Sequence, residues 1–221
     1  MDYAAQTFFF LLAQFPKLLA GFLITVGISA AAIPLALGLG LLLLAPRMAK
    51  NRLIRGSTVG YVDLMRNTPL LVQIYLIYFG LPVVGLYPSE FTCGVAGIAL
   101  QHGAFLVETY RAGIESISER QREAARAIGM GRLTAFRIVI LPQAMMRILG
   151  PLGNQLIVLI KDTSLVSAIG VAELTMTGKV IIERSGASVE IFVAIALFYL
   201  LLTSVLGGTF RLIEHRVAER A

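Results

Sequence analysis

Glu123-Ala124-Ala125-Arg126-Ala127-Ile128-Gly129, followed by Leu141-Pro142, is a polar, arginine-rich stretch set between long apolar runs. Residues Glu115 to Leu141 alternate charged and small residues with apolar ones at helical spacing. Ala124, Ala127, Ile128 and Met130 form a weakly apolar face, and Glu119, Arg122, Glu123 and Arg126 a charged one. Opposite charges three residues apart, Glu119 with Arg122 and Glu123 with Arg126, favour a short surface helix. Gly129 and Gly131 predict its end, because glycine takes a left-handed cap conformation readily. Leu133 to Val139 predicts a second short helix leading to Pro142. A helix–glycine–helix elbow of this kind is a compact knob whose small alanines let a partner's groove come close. In its blandest form, such a segment only solvates a membrane surface.

Outward from that stretch, the chain is membrane. Of its 221 residues, 57% are hydrophobic and 14% charged, against roughly a quarter charged in an ordinary soluble domain. Several runs approach or exceed the roughly 20 apolar residues that cross a bilayer. We place five spans, at about 18–44, 70–86, 91–107, 144–160 and 189–210. The second extends as helix back toward Tyr61, and the third continues to Gly113. The fold class is all-α integral membrane. The whole chain, 1–221, is expected to be a single transmembrane domain, with a membrane core at about 18–213 and the polar loop at 115–142. The short run Phe8 to Ala13 is broken by Gln14 and Pro16 and predicts an interfacial segment against the outer face. Asp2 stands where a signal peptide needs a basic region. The single cysteine, Cys93, excludes a disulfide framework and a cysteine metal site. It reads as a buried, inert thiol.

The net charge of +6 is not spread as a nucleic-acid patch, so no nucleic-acid partner is expected. Lys and Arg concentrate in alternate loops. Five lie between the first two spans (Arg47, Lys50, Arg52, Arg55, Arg66) and none between the second and third. Seven lie from Arg111 to Arg147, and three in the C-terminal tail. With the N-terminus outside and the C-terminus in the cytoplasm, fifteen of the nineteen fall inside, as the positive-inside rule requires. The 115–142 loop is then cytoplasmic.

The spacing Glu-Ala-Ala-x3-Gly-x9-Val-x-Leu-Pro resembles the EAA loop of ABC-importer permeases. Val139 replaces the usual Ile and keeps a β-branched apolar side chain. Tyr61 to Gly80 resembles the second-span entry of the polar amino-acid (histidine/glutamine/arginine-type) permeases. Tyr110 to Ile117 resembles the segment that precedes their loop, and Lys161 to Ser167 the segment after their fourth span. The resemblance covers roughly residue 21 to the C-terminus. It implies a type I importer permease in the bacterial inner (cytoplasmic) membrane that has no enzymatic activity of its own. It implies an ATPase grip formed by Glu123, Ala124, Ala125, Arg126, Gly129, Leu141 and Pro142. The implied partners are two ATP-binding-cassette ATPase subunits, which use ATP and magnesium, a second permease copy, identical or paralogous, an external solute-binding protein and an amino-acid solute. This chain is expected to bind no cofactor.

Polar groups inside spans are costly and tend to mark pathways. Gln101 and His102 lie in the third span, Asn154 and Gln155 in the fourth, and Lys161 and Asp162 at its outer end. Gln155 and Asp162 are seven residues apart and share a helix face. Asp162 suits the α-ammonium of an amino acid, and Gln155 a carboxylate or polar side chain. A carboxylate at 155 would point to a cationic solute, whereas the amide leaves polar neutral or other amino acids open. Against this stands an interfacial Lys161–Asp162 ion pair, with Gln155 making a packing bond worth about 1 kcal/mol or less. His102 reads first as a packed, hydrogen-bonded residue, and Gln73 is a weaker pathway candidate. No Gly-x4-Gly-Lys-Ser/Thr loop is present, so ATP hydrolysis is not expected of this chain. Two His and one Cys make no catalytic or metal constellation. The competing function is a secondary amino-acid carrier or another small-solute transporter. Such carriers usually hold two repeats in one chain, and five spans do not divide that way.

Overall fold

The computed structural model describes residues 3–219. The described residues are helical apart from short connections. The elements are α1 (Tyr3–Arg47), α2 (Arg52–Asn67), α3 (Leu70–Gly80) with a 3₁₀ turn at Leu81–Val84, α4 (Glu90–Glu115), α5 (Glu119–Ala127) and α6 (Arg132–Ala135). A π-helical turn, Phe136–Ile140, leads into α7 (Leu141–Asp162). A 3₁₀ segment, Thr163–Ile169, is followed by α8 (Leu174–Ser185) and α9 (Ser188–Ala218). Among the described residues, four helical stretches are long and apolar enough to cross a membrane, and a fifth crossing arises if α2 and α3 count together.

Three features differ from the sequence-based expectation. The N-terminal residues are not a separate interfacial segment: α1 runs unbroken through Gln14 and Pro16. In an apolar medium any non-helical backbone leaves polar groups unsatisfied, so the helix continues despite one lost bond at each proline. Its N-terminal half is held by α9, where Phe15 and Phe22 both pack on Phe198. Forty-five residues make a helix of about 68 Å, longer than a bilayer is thick.

The second span is not one straight helix. α2 and α3 meet at 105°. The cause is Pro69, which has no N–H to offer the Met65 carbonyl. Side chains supply the missing donors. Gln73 Nε2 donates to Met65 O at 2.9 Å and Thr68 O at 3.2 Å, and Gln101 Nε2 reaches the same two carbonyls at 3.1 and 2.9 Å. Two buried amides therefore replace the helical bonds at a half-buried corner.

The third difference is α8, a helix inside the stretch read as the loop between the last two spans. Glu173 caps it, its Oε1 accepting from Met176 N at 2.8 Å. The other carboxylate oxygen accepts from Tyr199 at 3.0 Å and Thr25 at 3.3 Å. These partners sit in the middle parts of α9 and α1. Twelve residues span about 18 Å, too short to cross, so α8 starts deep in the bundle and returns toward its surface.

The core is the seam of α1, α4 and α7. Ile28, Ala32 and Ala36 pack with Ile98, Leu106 and Tyr110 and with Ile148, Leu156 and Leu159. Close approach here depends on small residues, as expected where lipid tails are as apolar as the side chains. A Cβ on Gly103 would lie 2.8 Å from Leu39 Cδ2. Cys93 is buried as expected. Outward faces are apolar too: Leu23, Leu41, Leu42, Leu197, Leu200 and Leu201 are all exposed.

Candidate functional site

Two polar features stand on this scaffold. The first is the elbow between α4 and α7. α5 ends at Gly129, whose φ is +81°. Gly129 N donates to Arg126 O and Met130 N to Ala125 O, each at 3.0 Å. This bond pair is a Schellman cap, which needs a left-handed residue at its centre. Gly131 is ordinary extended backbone at the start of α6, with φ −64° and ψ 157°. The sequence expectation of a helix ended by glycine therefore rests on Gly129 alone.

The elbow is tied to the ends of its neighbours. Arg122 donates to Ile114 O at 3.2 Å and Arg147 to Ser116 O at 2.5 Å, so both satisfy carbonyls at the C-terminus of α4. At the other side, Pro142 again lacks an N–H. The helix widens into its π-turn, where Leu141 N donates to Phe136 O and the Gln143 side chain to Val139 O at 2.9 Å. Leu141 and Pro142 thus shape the entry of α7.

Ala125 is the buried alanine, 3% exposed. Ala124, Ala127 and Ile128 point away from the bundle. Ile128, Leu133 and Ile138 are all more than half exposed. The Glu123–Arg126 pair does not form. Arg126 reaches back two turns to Glu119 at 2.8 Å, which Arg122 also approaches at 3.8 Å. Glu119 gathers both arginines, and among the described residues Glu123 has no ion pair and is exposed.

The second feature joins α4 to α7. His102 lies halfway along α4, 1% exposed. Its Nε2 is 3.0 Å from Asp162 Oδ2, and its Nδ1 is 2.8 Å from Gln155 Nε2. Gln155 is half-buried and the Asp162 side chain is 31% exposed, so the cluster opens to the surface of the chain. Asp162 therefore pairs with His102 and not with Lys161, which makes no ion pair among the described residues and is exposed. Asp162 also sits deeper than the outer end expected for it. α7 continues a helix that begins in the polar elbow, and its C-terminus meets the midpoint of α4.

The remaining expected residues lie elsewhere. Asn154 faces α9 across a groove of about 180 Å³ lined by Gly150, Gly153, Gly207, Phe210, Arg211 and Glu214. Gln73 and Gln101 are buried at the α2–α3 bend. Glu173 was missed entirely. Its one sequence signal is an acceptor three residues before Met176 at the start of a helical pattern, the spacing of an N-cap.

Comparison with known proteins fits this arrangement. Residues 32–219 match the family described as binding-protein-dependent transport system inner membrane component. The glutamine transport system permease protein GlnP of Escherichia coli (strain K12) is 40% identical over 204 residues, covering 91% of this chain and 93% of the relative. The nopaline transport system permease protein NocM of Agrobacterium fabrum is 36% identical over 92% of this chain and 89% of its own length. The crystal structure of an amino acid ABC transporter with histidines superposes with a TM-score of 0.88 at 33% identity, covering 98% of this chain and 99% of that one. The MetNI methionine ABC transporter in an inward-facing conformation shares the fold, with a TM-score of 0.68 at 18% identity. The chain belongs to the family of binding-protein-dependent inner-membrane transport components, the permeases of ABC importers. Within that family it is a permease subunit of an amino-acid importer.

Proposed function

We propose that this chain carries a polar amino acid inward as one half of a permease pair, identical or paralogous, driven by two ATPase subunits and fed by an external solute-binding protein. The chain acts as a single permease domain with its N-terminus outside and its C-terminus in the cytoplasm. ATP and magnesium are bound and used by the ATPase partners. The carrying observation is the elbow. A nine-residue helix, capped by Gly129 and anchored by Arg122 and Arg147, presents a free carboxylate, Glu123, beside exposed Ile128 and Leu133. A rigid knob with an apolar tip and one unpaired acid suits insertion into a cleft. Ala124, Arg126 and Glu123 touch the partner. Ala125, Gly129, Leu141 and Pro142 hold the knob's shape. The solute meets Gln155 and Asp162, with His102 behind them. Asn154 and Gln73 are set apart from that cluster.

Purification from native membranes tests the assembly. A tagged chain is expected to bring down an ATPase subunit, and Glu123→Lys to weaken that association or uncouple hydrolysis from transport. Solute uptake by the chain alone, driven by a proton or sodium gradient, would instead establish a secondary carrier.

A further inference from the structure

We propose that His102 is a positioning residue that decides which atom of Gln155 the solute meets, and that the cluster thereby presents two uncommitted acceptor oxygens, one from Gln155 and one from Asp162. This rests on the reading of Gln155 and Asp162 as solute-facing.

The step follows from proton accounting. An ionised carboxylate only accepts, and neutral imidazole has one N–H and one bare nitrogen. Nε2 faces Asp162 Oδ2 at 3.0 Å, so Nε2 carries the hydrogen. In the neutral ring Nδ1 is then bare and accepts. At 2.8 Å from it stands Gln155 Nε2, which donates. The reversed tautomer sets a bare Nε2 against a carboxylate oxygen, two lone pairs at contact distance. Asp162 thus dictates the tautomer, and the tautomer dictates the amide.

What is left over faces outward. Among the described residues, Gln155 Oε1 and Asp162 Oδ1 accept no hydrogen bond from within the chain, and neither is a buried orphan. Both belong to one face of α7, and both are acceptors. A solute with N–H groups, an ammonium or a carboxamide, satisfies them. An isosteric carboxylate brings acceptors to those two oxygens and finds only the second N–H of the Gln155 amide, so it binds more weakly. His102 touches no solute: it is 1% exposed and acts through its two neighbours.

Two substitutions separate the two links. The terminal amide of glutamine reaches the place of Nε2, whereas that of asparagine reaches the place of Nδ1. His102→Gln keeps a donor for Asp162 and frees the Gln155 amide to turn. His102→Asn keeps an acceptor for Gln155. The measurement is equilibrium binding of radiolabelled glutamine and glutamate to the permease–ATPase complex in nanodiscs. His102→Gln is expected to lose roughly fivefold of the preference for glutamine, the worth of about one neutral hydrogen bond. His102→Asn is expected to keep it within about twofold, by the same token. Nitrogen-15 spectra of histidine-labelled complex, on a His215→Gln background, are expected to show a bare Nδ1 and a protonated Nε2.

A protonated Nδ1, or equal preference in the two His102 variants, overturns the proposal. If Asp162→Asn and Gln155→Leu bind glutamine as wild type does, or wild type binds neither solute, the solute site itself is misplaced and the proposal falls with it. If those two variants lose binding while His102→Gln keeps its preference, the solute site stands and only the role of His102 fails.

Discussion

Gly129→Ala isolates the backbone of the elbow from everything else. A Cβ at Gly129 meets no atom within 4 Å, so the substitution causes no clash. The whole effect comes from φ of +81°, which costs an L-residue about 1–2 kcal/mol. The cap bonds from Gly129 and Met130 depend on that φ. Alanine therefore biases the end of α5 toward other conformations by about 5- to 30-fold. If the ATPase docks on the capped elbow, its apparent affinity falls by up to the same factor, because only the competent fraction binds. Gly131→Ala is the control, since that residue is ordinary extended backbone with open space around it. Gly129→Asn is expected to recover part of the loss, because asparagine tolerates the left-handed region better than other non-glycine residues. The assay is ATPase-subunit titration of solute-stimulated hydrolysis in proteoliposomes. Equal behaviour of Gly129→Ala and Gly131→Ala would refute the claim that the cap organises the docking knob.

Three further outcomes are expected. A thiol label at Ser118→Cys is reached only from the cytoplasm and one at Tyr87→Cys only from outside; labelling of Ser118→Cys from outside in sealed cells would reverse the orientation, and buried Cys93 gives no background. Asp162→Asn keeps an acceptor for His102 but loses the charge; charge-assisted bonds are about twice as strong as neutral ones, and with a third of the side chain exposed we expect about a tenfold rise in the solute KM, and an unchanged KM in reconstituted uptake would remove Asp162 from the pathway. At the α2–α3 bend, Gln73→Leu or Gln101→Leu alone is expected to cost about 1 kcal/mol, because either amide covers both carbonyls. The double variant leaves two half-buried carbonyls orphaned and costs more than the sum; additive shifts in thermal unfolding would contradict that account.

Much of this architecture was legible in the residues themselves. Apolar runs set the membrane class, because a span must satisfy its backbone internally and coat itself with apolar side chains. The break at Gly129 was legible because a left-handed cap is a local demand on one residue. Gln155 and Asp162 fell on one face because helical periodicity is local too. The bend at Pro69, by contrast, was not readable. Proline marks a lost bond, but whether the helix kinks or turns through 105° depends on donors that come from Gln73 and from Gln101 on another helix. The interfacial N-terminus was misjudged for a related reason. Gln14 and Pro16 look like breakers locally, while the packing of Phe15 and Phe22 on Phe198 is set by a helix nearly two hundred residues away in the chain.

By itself, then, the sequence determined an all-helical membrane protein with a capped polar elbow, since composition, charge placement and glycine position act over a few residues each. Only the tertiary structure decided that His102 stands between Gln155 and Asp162, that Asn154 turns to α9, that Ala125 faces in while Ile128 faces out, and that Glu173 binds α1, α8 and α9 together. Periodicity tells which residues share a face. What lies opposite that face is settled by the crossing of whole helices, where small residues such as Gly103 let α1 and α4 approach.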